Sequence, residues 1–338
     1  MNEEEKEQIK KEIEEEMNKK KKKHRFLKGF LFGTGATILG NVMKISIIGL
    51  GYVGLTSALC FQRLGHEVIG VDMNPNKVSL INEEISPING YTIPLDMRFK
   101  ATSNIKEAIL NSEISFICVQ TPTTKGKLDL SYLKKACKQI GEAIKKKKHH
   151  LIVVRSTIFP GSYEILKKII EKSSEKKCGK GFDMALNPEF LREKTAIKDF
   201  FNPSYVVVGA ETKEIGLNVL ECYKGIDAKK FIVKLEVAQM IKYLNNSWHA
   251  LKISYTNEIG RICEELKIDG DKLMALFCAD KKLNISEKYH KIGSPFSGSC
   301  LPKDLAVLQN NINKLKLNCP IIQSISKSNE EHKRKWKK

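Results

Sequence analysis

The fold is decided by one stretch, Lys44-Ile-Ser-Ile-Ile-Gly-Leu-Gly-Tyr-Val-Gly54. Its first half is the short apolar run typical of a buried parallel strand, and a helical pattern follows over Thr56–Leu64. The glycine spacing G-x-G-x-x-G lets a backbone turn tightly, approach a pyrophosphate and pack a helix against a strand. Because the helix N-terminus would face the phosphates, we predict a dinucleotide-binding turn formed by Gly49, Gly51, Tyr52, Val53 and Gly54.

An acidic residue stands where such a site needs one. Asp72 follows the predicted strand Glu67–Val71 and lies 18 residues beyond Gly54. A carboxylate there accepts hydrogen bonds from a ribose 2′-hydroxyl and repels a 2′-phosphate, so the sequence predicts NAD rather than NADP. Lys77, in the next helical stretch, is assigned to the same cofactor site. The alternative interpretation is a cluster of turn glycines beside a helix-capping aspartate.

Apolar runs continue to alternate with helical stretches as far as Val233. This alternation predicts a Rossmann-like, doubly wound parallel sheet. After Lys234 the apolar runs stop, and Glu236–Leu266 and Ile268–Phe277 are predicted as helices. We therefore divide the chain into an N-terminal extension at 1–42, a Rossmann-like domain at 43–233, an all-helical central domain at 234–319 and the start of a connecting helix at 320–338. The later predicted strands are Ile114–Val119, Leu151–Val154, Met184–Leu186, Tyr205–Val208 and Phe231–Val233.

Length and composition limit the possible functions. At 338 residues the chain is long enough for roughly two domains, and 41% hydrophobic with 29% charged residues is typical of a globular protein. The nine cysteines are scattered and contain no C-x-x-C pair, which predicts a reducing, cytoplasmic protein without a disulfide framework or a metal site. The net charge of +19 attracts anions, but no recognition motif for nucleic acid is present, so none is expected as a partner.

The extension at 1–42 leaves two interpretations open. The basic run Lys19–Arg25 precedes the apolar stretch Phe26–Gly40, and this order suits a weak contact with a membrane surface. The apolar part is too short and too rich in glycine for a membrane-spanning helix, which needs roughly 20 apolar residues. The interpretation that we favour is a dispensable extension, with the folded protein beginning at Met43.

A second motif, Ser297-Gly-Ser-Cys-Leu-Pro-Lys-Asp304, suits nucleophilic chemistry. Small residues precede Cys300, and Pro302 favours the first turn of a helix. A thiol at a helix N-terminus beside Lys303 is expected to have a lowered pKa and to be a nucleophile. Asp304 lies one turn further on, on the same side of that helix. A buried cysteine in a loop is the alternative, and the local sequence does not choose between the two.

The long predicted helix carries a polar stripe. Five residues spaced 4, 3, 4 and 4 apart fall on one helix face, and large apolar residues flank them. Buried polar groups need partners, and a substrate is one such partner. A hydrated groove or a subunit interface is the alternative. The five residues are Lys242, Asn246, His249, Ile253 and Asn257.

The segment Asn187-Pro-Glu-Phe-Leu-Arg-Glu193 holds two carboxylates four residues apart. On a helix, Glu189 and Glu193 would share one face and form a candidate acid/base pair. Because Arg192 and Lys194 lie beside them, surface ion pairs are an equally good interpretation of this segment.

Taken in order, these segments resemble the nucleotide-sugar dehydrogenase family, which contains the UDP-glucose and GDP-mannose 6-dehydrogenases. The resemblance runs from about Met43 to Asn329 and also rests on Thr121-Pro122 and on Arg155-Ser-Thr-Ile-Phe-Pro-Gly161. The stretch Asn246-Ser-Trp-His-Ala-Leu-Lys252 is most similar to the GDP-mannose enzymes. The resemblance implies NAD as cofactor and a four-electron oxidation, in which the C6 alcohol of the sugar becomes a carboxylate.

The resemblance also implies roles for the catalytic residues. Cys300 would hold the intermediate aldehyde as a thiohemiacetal and then as a thioester. Lys242 and Asn246 would stabilise negative charge on the C6 oxygen, with Asp304 assisting Lys242 and an ordered water. The water that hydrolyses the thioester would be activated and oriented by Glu189 and Thr157.

The remaining implications concern binding and assembly. The long helix would build a homodimer with shared active sites, in which Lys291 reaches the site of the neighbouring subunit. The chain stops about where this family begins a third domain. A non-catalytic, NAD-binding dimeric relative with a scaffold role is therefore the alternative function. The implied cofactor contacts are Thr121, Pro122, Thr157 and Lys303, and the implied substrate contacts are Glu193, His249, Asn257 and Lys291.

Overall fold

The computed structural model describes residues 42–88, 99–265, 267–280, 293–314 and 320–336, which belong to one compact unit over 41–338. The predictions for 1–41, including a membrane-surface contact through Phe26–Gly40, lie outside the described residues, as does Lys291. Within the described ranges, no helix combines the length and the apolar character that crossing a bilayer requires.

The N-terminal part is built on one large sheet. The described strands are β1 (Lys44–Ile48), β2 (Glu67–Val71), β3 (Lys100–Thr102), β4 (Ile114–Ile117), β5 (Thr123–Thr124), β6 (Lys127–Leu128), β7 (Leu151–Val154), β8 (Asp183–Leu186), β9 (Tyr205–Ala210) and β10 (Lys229–Val233). Eight strands form the sheet in the order β10-β9-β8-β7-β4-β1-β2-β3, and β5 and β6 form a separate hairpin. The predicted Rossmann-like fold is confirmed. The sequence did not predict β3 or the hairpin.

The sheet departs from the predicted parallel arrangement at one place. β9 runs antiparallel to β8, whereas β7–β8 and β9–β10 are parallel. A strand parallel to its neighbour needs a connection that returns to the edge of the sheet where that neighbour began. An antiparallel strand starts at the edge where its neighbour ended. Residues 187–204 therefore stay at the carboxyl edge of β8, and they include the motif Asn187–Glu193.

Helices alternate with the strands, and every element described after β10 is a helix. Those before β10 are α1 (Tyr52–Arg63), α2 (Pro75–Asn82), α3 (Ile105–Leu110), α4 (Ser131–Ile144), α5 (Ser162–Ser174), α6 (Ala196–Phe201) and α7 (Lys213–Glu221). Those after it are α8 (Leu235–Glu265), α9 (Gly270–Ala279), α10 (Cys300–Lys314) and α11 (Pro320–Trp336). The two predicted long helices are confirmed as α8 and α9, and α9 begins two residues later than predicted because Asp269 caps it.

The sheet part and the helical part each contain buried apolar clusters. One cluster combines strands β1, β4, β7 and β8 with α4 and α5, and includes Ile117, Ile140 and Leu166. In the helical part, Tyr243 of α8 packs on Val307 and Leu308 of α10. This packing fixes α10, and with it the start of that helix at Cys300, against α8.

Candidate active site

The turn between β1 and α1 has the shape that a dinucleotide site requires. Gly49 adopts φ +94°, and a Cβ atom on Gly54 would lie 1.8 Å from the carbonyl oxygen of Gly49, so both positions exclude a side chain. A Cβ atom on Gly51 would meet no described atom within 4 Å, which leaves open space beside the turn. Among the described residues no side chain caps the first turn of α1, where Tyr52 and Val53 lie. Its backbone N–H groups therefore suit a phosphate.

Asp72 lies beside this turn, directly after β2. Its Oδ2 accepts a hydrogen bond from the backbone N–H of Leu50, and its Oδ1 accepts one from that of Asn74, both at 3.0 Å. The ammonium of Lys77 lies 3.8 Å from Oδ2. Because each carboxylate oxygen can accept two hydrogen bonds, Asp72 fixes the turn and retains capacity for a ribose hydroxyl. These residues fit the NAD site that the sequence predicts.

The loops after β4 and β7 meet next to the glycine turn. The hydroxyl of Thr121 donates to the carbonyl oxygen of Thr157 at 3.1 Å. Val119, two residues before Thr121, approaches Gly49 so closely that a Cβ there would lie 3.0 Å from it. Thr121, its neighbour Pro122 and Thr157 thus lie in the segments that border the turn.

A buried ion pair joins the sheet to the long helix. Nζ of Lys242 on α8 lies 2.7 Å from Oε1 of Glu189, in the loop after β8, and the two side chains are 6% and 8% exposed. Burial opposes the charge of Glu189, but the Lys242 ammonium outweighs it and holds the pKa of that carboxyl below its usual value. Burial also opposes the charge of Lys242, but Glu189 and Asp304 outweigh it and raise the pKa. Both groups are therefore charged at neutral pH.

The prediction that Glu189 and Glu193 share a helix face is wrong. The segment 187–192 has no helical structure. Instead, Oε2 of Glu189 accepts a hydrogen bond from the backbone N–H of Leu191 at 2.6 Å, and a side chain thereby satisfies a donor that a helix would have used. Glu189 is buried, whereas Glu193 is exposed. The spacing of four therefore does not make them an acid/base pair.

Asn246 and Asp304 connect α8 to α10. The side-chain amide of Asn246 donates to Oδ2 of Asp304, whose side chain is 1% exposed. The other carboxylate oxygen, Oδ1, lies 3.6 Å from the ammonium of Lys303. Burial raises the pKa of Asp304 against the opposing effect of Lys303 and Lys242. A carboxyl group with a raised pKa suits proton transfer near neutral pH.

Cys300 differs from the other described cysteines. It is the first residue of α10 and its side chain is exposed, whereas the others in the described ranges are buried or partly buried. Burial raises the pKa of Cys118 to about 12 and that of Cys178 to about 11, so those thiols stay protonated. Cys300 also contributes to the raised pKa of Lys242 and thus lies within its electrostatic range. The predicted helix start is confirmed, and the role of Cys300 as nucleophile stays a prediction.

Two other residues of the polar stripe are engaged differently. Burial lowers the pKa of His249 to about 4, and neighbouring cations add to this, so its ring is neutral at neutral pH. The amide of Asn257 binds backbone on both sides: Oδ1 accepts from the N–H of Gly293 at 3.2 Å, and Nδ2 donates to the carbonyl of Ser294 at 3.4 Å. Asn257 thereby holds the segment that leads to Cys300. The predicted contacts of both residues with the sugar stay predictions.

The candidate cofactor turn and the candidate catalytic loop of Glu189 are in contact. The hydroxyl of Tyr52, in the first turn of α1, donates to the carbonyl of Arg192 at 3.5 Å and so links the glycine turn to the loop of Glu189. Sequence reasoning named Lys242 and Glu189 separately and missed that they pair. The sequence signal for burial was that each is a charged residue with large apolar neighbours along the chain. A dinucleotide turn beside buried charges and an exposed thiol defines an NAD-dependent oxidoreductase.

Comparison with known proteins gives this class a family. The NAD binding domain of the UDP-glucose/GDP-mannose dehydrogenase family matches residues 43–227, and the central domain of the same family matches residues 236–331. The chain belongs to the UDP-glucose/GDP-mannose dehydrogenase family, as the sequence resemblance implies, and its cofactor is NAD.

Two relatives illustrate the range of the match. The GDP-mannose 6-dehydrogenase of Pseudomonas aeruginosa is 44% identical over 303 residues, which cover 87% of this chain and 70% of the relative. The UDP-glucose 6-dehydrogenase TuaD of Bacillus subtilis is 35% identical over 298 residues, which cover 86% of this chain and 63% of the relative.

Solved structures agree with the family. A UDP-glucose dehydrogenase from Pyrobaculum islandicum superposes with a TM-score of 0.81 at 33% identity, covering 87% of this chain and 69% of that one. A ternary complex of GDP-mannose dehydrogenase from Pseudomonas aeruginosa superposes with a TM-score of 0.71 at 43% identity, covering 86% and 69%.

Proposed function

We propose that this protein oxidises the C6 alcohol of a nucleotide sugar to the carboxylate, with GDP-mannose as the preferred substrate and UDP-glucose as the next. The observation that carries the proposal is a cluster of buried polar side chains near the exposed Cys300. Lys242 is paired with Glu189, and Asn246 is bound to Asp304. The preference for GDP-mannose is supported by the 44% identity to an enzyme of that name.

The first oxidation converts the alcohol to an aldehyde. NAD held at the glycine turn and Asp72 would supply the hydride acceptor, with one NAD for each of the two oxidations. The Lys242 ammonium and the Asn246 amide donate hydrogen bonds to the C6 oxygen, where negative charge develops. The hydroxyl proton leaves through an ordered water to Asp304, whose raised pKa suits it as an acceptor.

The second oxidation takes place on the cysteine. The sulfur of Cys300 adds to the aldehyde carbon, and the thiol proton goes to the C6 oxygen, so a thiohemiacetal forms. Loss of a second hydride and of the oxygen proton leaves a thioester. Covalent attachment keeps the aldehyde in the site between the two hydride transfers. A reactive thiol of this kind fits a reducing, cytoplasmic setting.

Hydrolysis of the thioester completes the reaction. The Glu189 carboxylate removes a proton from a water that Thr157 orients, and the resulting hydroxide attacks the thioester carbon. The carbon–sulfur bond breaks, the proton held by Glu189 returns to the Cys300 sulfur, and the acid product loses its own proton to water and leaves as a carboxylate. The sugar and its diphosphate are held by Glu193, His249, Asn257 and, from the partner subunit of a dimer, Lys291; Lys303 contacts the cofactor.

The assembly that we propose is a homodimer built on α8. Three large apolar side chains at spacings of 7 and 4 lie on one face of this helix and are more than half exposed. They are Val237, Leu244 and Trp248, at 51%, 60% and 56%. Trp248→Glu with Leu244→Glu is expected to give a monomer in light scattering. Leu110→Glu, on the exposed part of α3, is the matched control and is expected to leave the dimer intact.

The function is tested by offering GDP-mannose and UDP-glucose in parallel and following NADH formation. The proposal expects two NADH for each sugar oxidised, with the higher kcat/KM for GDP-mannose. Calorimetric binding of NAD without turnover of either sugar would favour the non-catalytic relative with a scaffold role. A higher kcat/KM for UDP-glucose would keep the reaction and reverse the substrate preference.

A further inference from the structure

A buried arginine at the carboxyl end of β7 has no role in the reaction as described so far. Arg155 directly follows the apolar strand β7, and its side chain is 4% exposed. Its hydrogen bonds end on neutral groups, namely the hydroxyls of Ser57 and Tyr223 and two oxygens of Asn187. A buried cation that is hydrogen-bonded to no anion is costly, and a more distant anion offsets only part of that cost. We therefore expect the buried Arg155 to have a function.

The guanidinium fixes the residue that precedes the Glu189 loop. Nη1 of Arg155 donates to Oδ1 of Asn187 at 2.5 Å, and the same oxygen accepts from the Tyr223 hydroxyl at 2.6 Å. The Nδ2 of Asn187 donates to the carbonyl of Val207 in β9 at 2.9 Å. Every polar atom of the Asn187 amide is thus engaged, so its orientation is determined. Glu189 follows two residues later.

The same guanidinium reaches the cofactor side. Nε of Arg155 donates to the hydroxyl of Ser57 on α1 at 3.1 Å, and that hydroxyl donates to the carbonyl oxygen of Val53 at 2.7 Å. Val53 belongs to the glycine turn. Thr157 follows Arg155 by two residues. One planar group therefore joins the glycine turn, the segment of Thr157 and the segment of Glu189, and the fixed fork of an arginine suits such a junction.

The charge of Arg155 also acts on Glu189. After burial and the larger effect of Lys242, the guanidinium is among the groups that keep the pKa of Glu189 below its usual value. The charge of Glu189 is thus favoured by two buried cations, Lys242 on α8 and Arg155 directly after β7. Arg155 gains a nearby anion, and Glu189 gains a second cation that does not depend on the position of α8.

We infer that Arg155 is a positioning residue, which holds Glu189 and Thr157 in register with the cofactor turn. The inference rests on the proposed function, since it concerns the hydrolysis step of that reaction. Arg155 does not touch substrate. It acts through Asn187 on the carboxylate and through Ser57 on the turn.

The test compares Arg155→Lys, which keeps the charge and loses the fork, with Arg155→Met, which loses both. We expect kcat to fall roughly 10²-fold in both variants, the effect of a small displacement of a catalytic group. The acidic limb of the kcat–pH profile is expected to move to higher pH in Arg155→Met only, because removal of the cation raises the pKa of Glu189.

Ser115→Ala is the matched control. It removes a buried hydrogen bond towards the opposite end of the same sheet, so it is expected to lower the melting temperature without changing kcat or the pH limb. Variants of Arg155 whose kcat stays within about twofold of the parent would overturn the positioning role. An unmoved acidic limb in Arg155→Met would overturn the electrostatic role.

Two further measurements keep the inference testable. If the Arg155 variants do not fold, Tyr223→Phe removes one hydroxyl from the junction with little change of shape, and kcat is expected to fall about fivefold to tenfold, the effect of one buried hydrogen bond.

If the parent turns over neither sugar, the proposed function fails. Amide exchange of Leu191, which donates to Glu189, then decides: faster exchange in Arg155→Lys than in Ser115→Ala supports the positioning role, and equal exchange overturns it.

Discussion

Each end of strand β7 has a buried basic side chain, but the two side chains differ in charge. At the amino end, burial lowers the pKa of His150 to about 3, and neighbouring positive groups add to this, so the ring is neutral in the folded protein. At the carboxyl end Arg155 is equally enclosed but remains charged, because a guanidinium does not lose its proton in proteins. The strand between them is only four residues long.

The surroundings of the two residues explain the difference. His150 lies 2.6 Å from the hydroxyl of Ser115, which lies 2.6 Å from that of Ser46, so its direct hydrogen-bond partners are neutral side chains. The carboxyl end instead gathers Arg155 with the Lys242–Glu189 pair. Ligands of open α/β sheets bind at the carboxyl ends of the strands. The buried ion pair and the buried guanidinium thus lie at the end of the sheet where a ligand can use them.

The largest expected difference between the two ends is in catalysis. Cys300→Ala is expected to lower NADH formation from the nucleotide sugar by roughly 10³-fold or more, because the second oxidation loses its covalent intermediate. The affinity for NAD, measured by calorimetry, is expected to stay unchanged. Cys178→Ala, which alters a partly buried cysteine near the amino end of β8, is the control and should keep its activity. Equal activity of the two variants would remove Cys300 from the mechanism.

The ion pair of the carboxyl end gives the next largest effect. Lys242→Met leaves the buried Glu189 without its main partner, so the free energy of unfolding is expected to fall by about 3–5 kcal/mol in denaturant titration. Lys242→Met combined with Glu189→Gln removes both charges and is expected to regain most of that loss. If the double variant is no more stable than the single one, the pair does not behave as a buried ion pair.

A smaller effect is expected at the cofactor turn. Asp72→Ala removes the carboxylate that binds the N–H of Leu50 and is placed to receive a ribose hydroxyl, so NAD affinity is expected to fall by about tenfold to a hundredfold. The preference for NAD over NADP, measured by calorimetry with both, should shrink at the same time. Equal binding of NAD and NADP to the parent protein would contradict the role given to Asp72.

The smallest effect at neutral pH is expected at the amino end. The unfolded chain protonates His150 below pH of about 6.5, whereas the folded chain keeps it neutral until about pH 3. Its contribution to stability is therefore complete above 6.5 and is lost as the pH falls through that window. His150→Gln, which retains a hydrogen-bonding group for Ser115, should show a weaker loss of unfolding free energy on acidification. Parallel pH curves for parent and variant would exclude this linkage.

The parts of the site that sequence could predict are local. The glycine turn and Asp72 depend on spacings of fewer than 25 residues, and the helix start at Cys300 depends on its immediate neighbours. The polar stripe of α8 follows from helical periodicity. These patterns are encoded within single elements, and the structure has each of them at the expected place.

The parts that it could not predict depend on contacts between distant segments. Glu189 and Lys242 are 53 residues apart, and Arg155 reaches Ser57 across 98. No spacing rule encodes such pairs. The helix wrongly predicted at Asn187–Glu193 has a local cause instead, because the Glu189 side chain binds the backbone N–H of Leu191 in place of a helical hydrogen bond. The antiparallel β9 was missed because an apolar run does not reveal its direction.

Helix α8 is anchored at two points along its length, and it therefore fixes the distance between the two segments that it contacts. Lys242 is held at the sheet and Asn257 at the segment before Cys300, and the helix advances about 22 Å in roughly four turns from the first residue to the second. One inserted residue would rotate everything beyond it by about 100° and turn one of the two anchors away from its partner. We therefore expect relatives to vary in the lengths of the loops on either side of α8, while the count of residues from Lys242 to Asn257 stays constant.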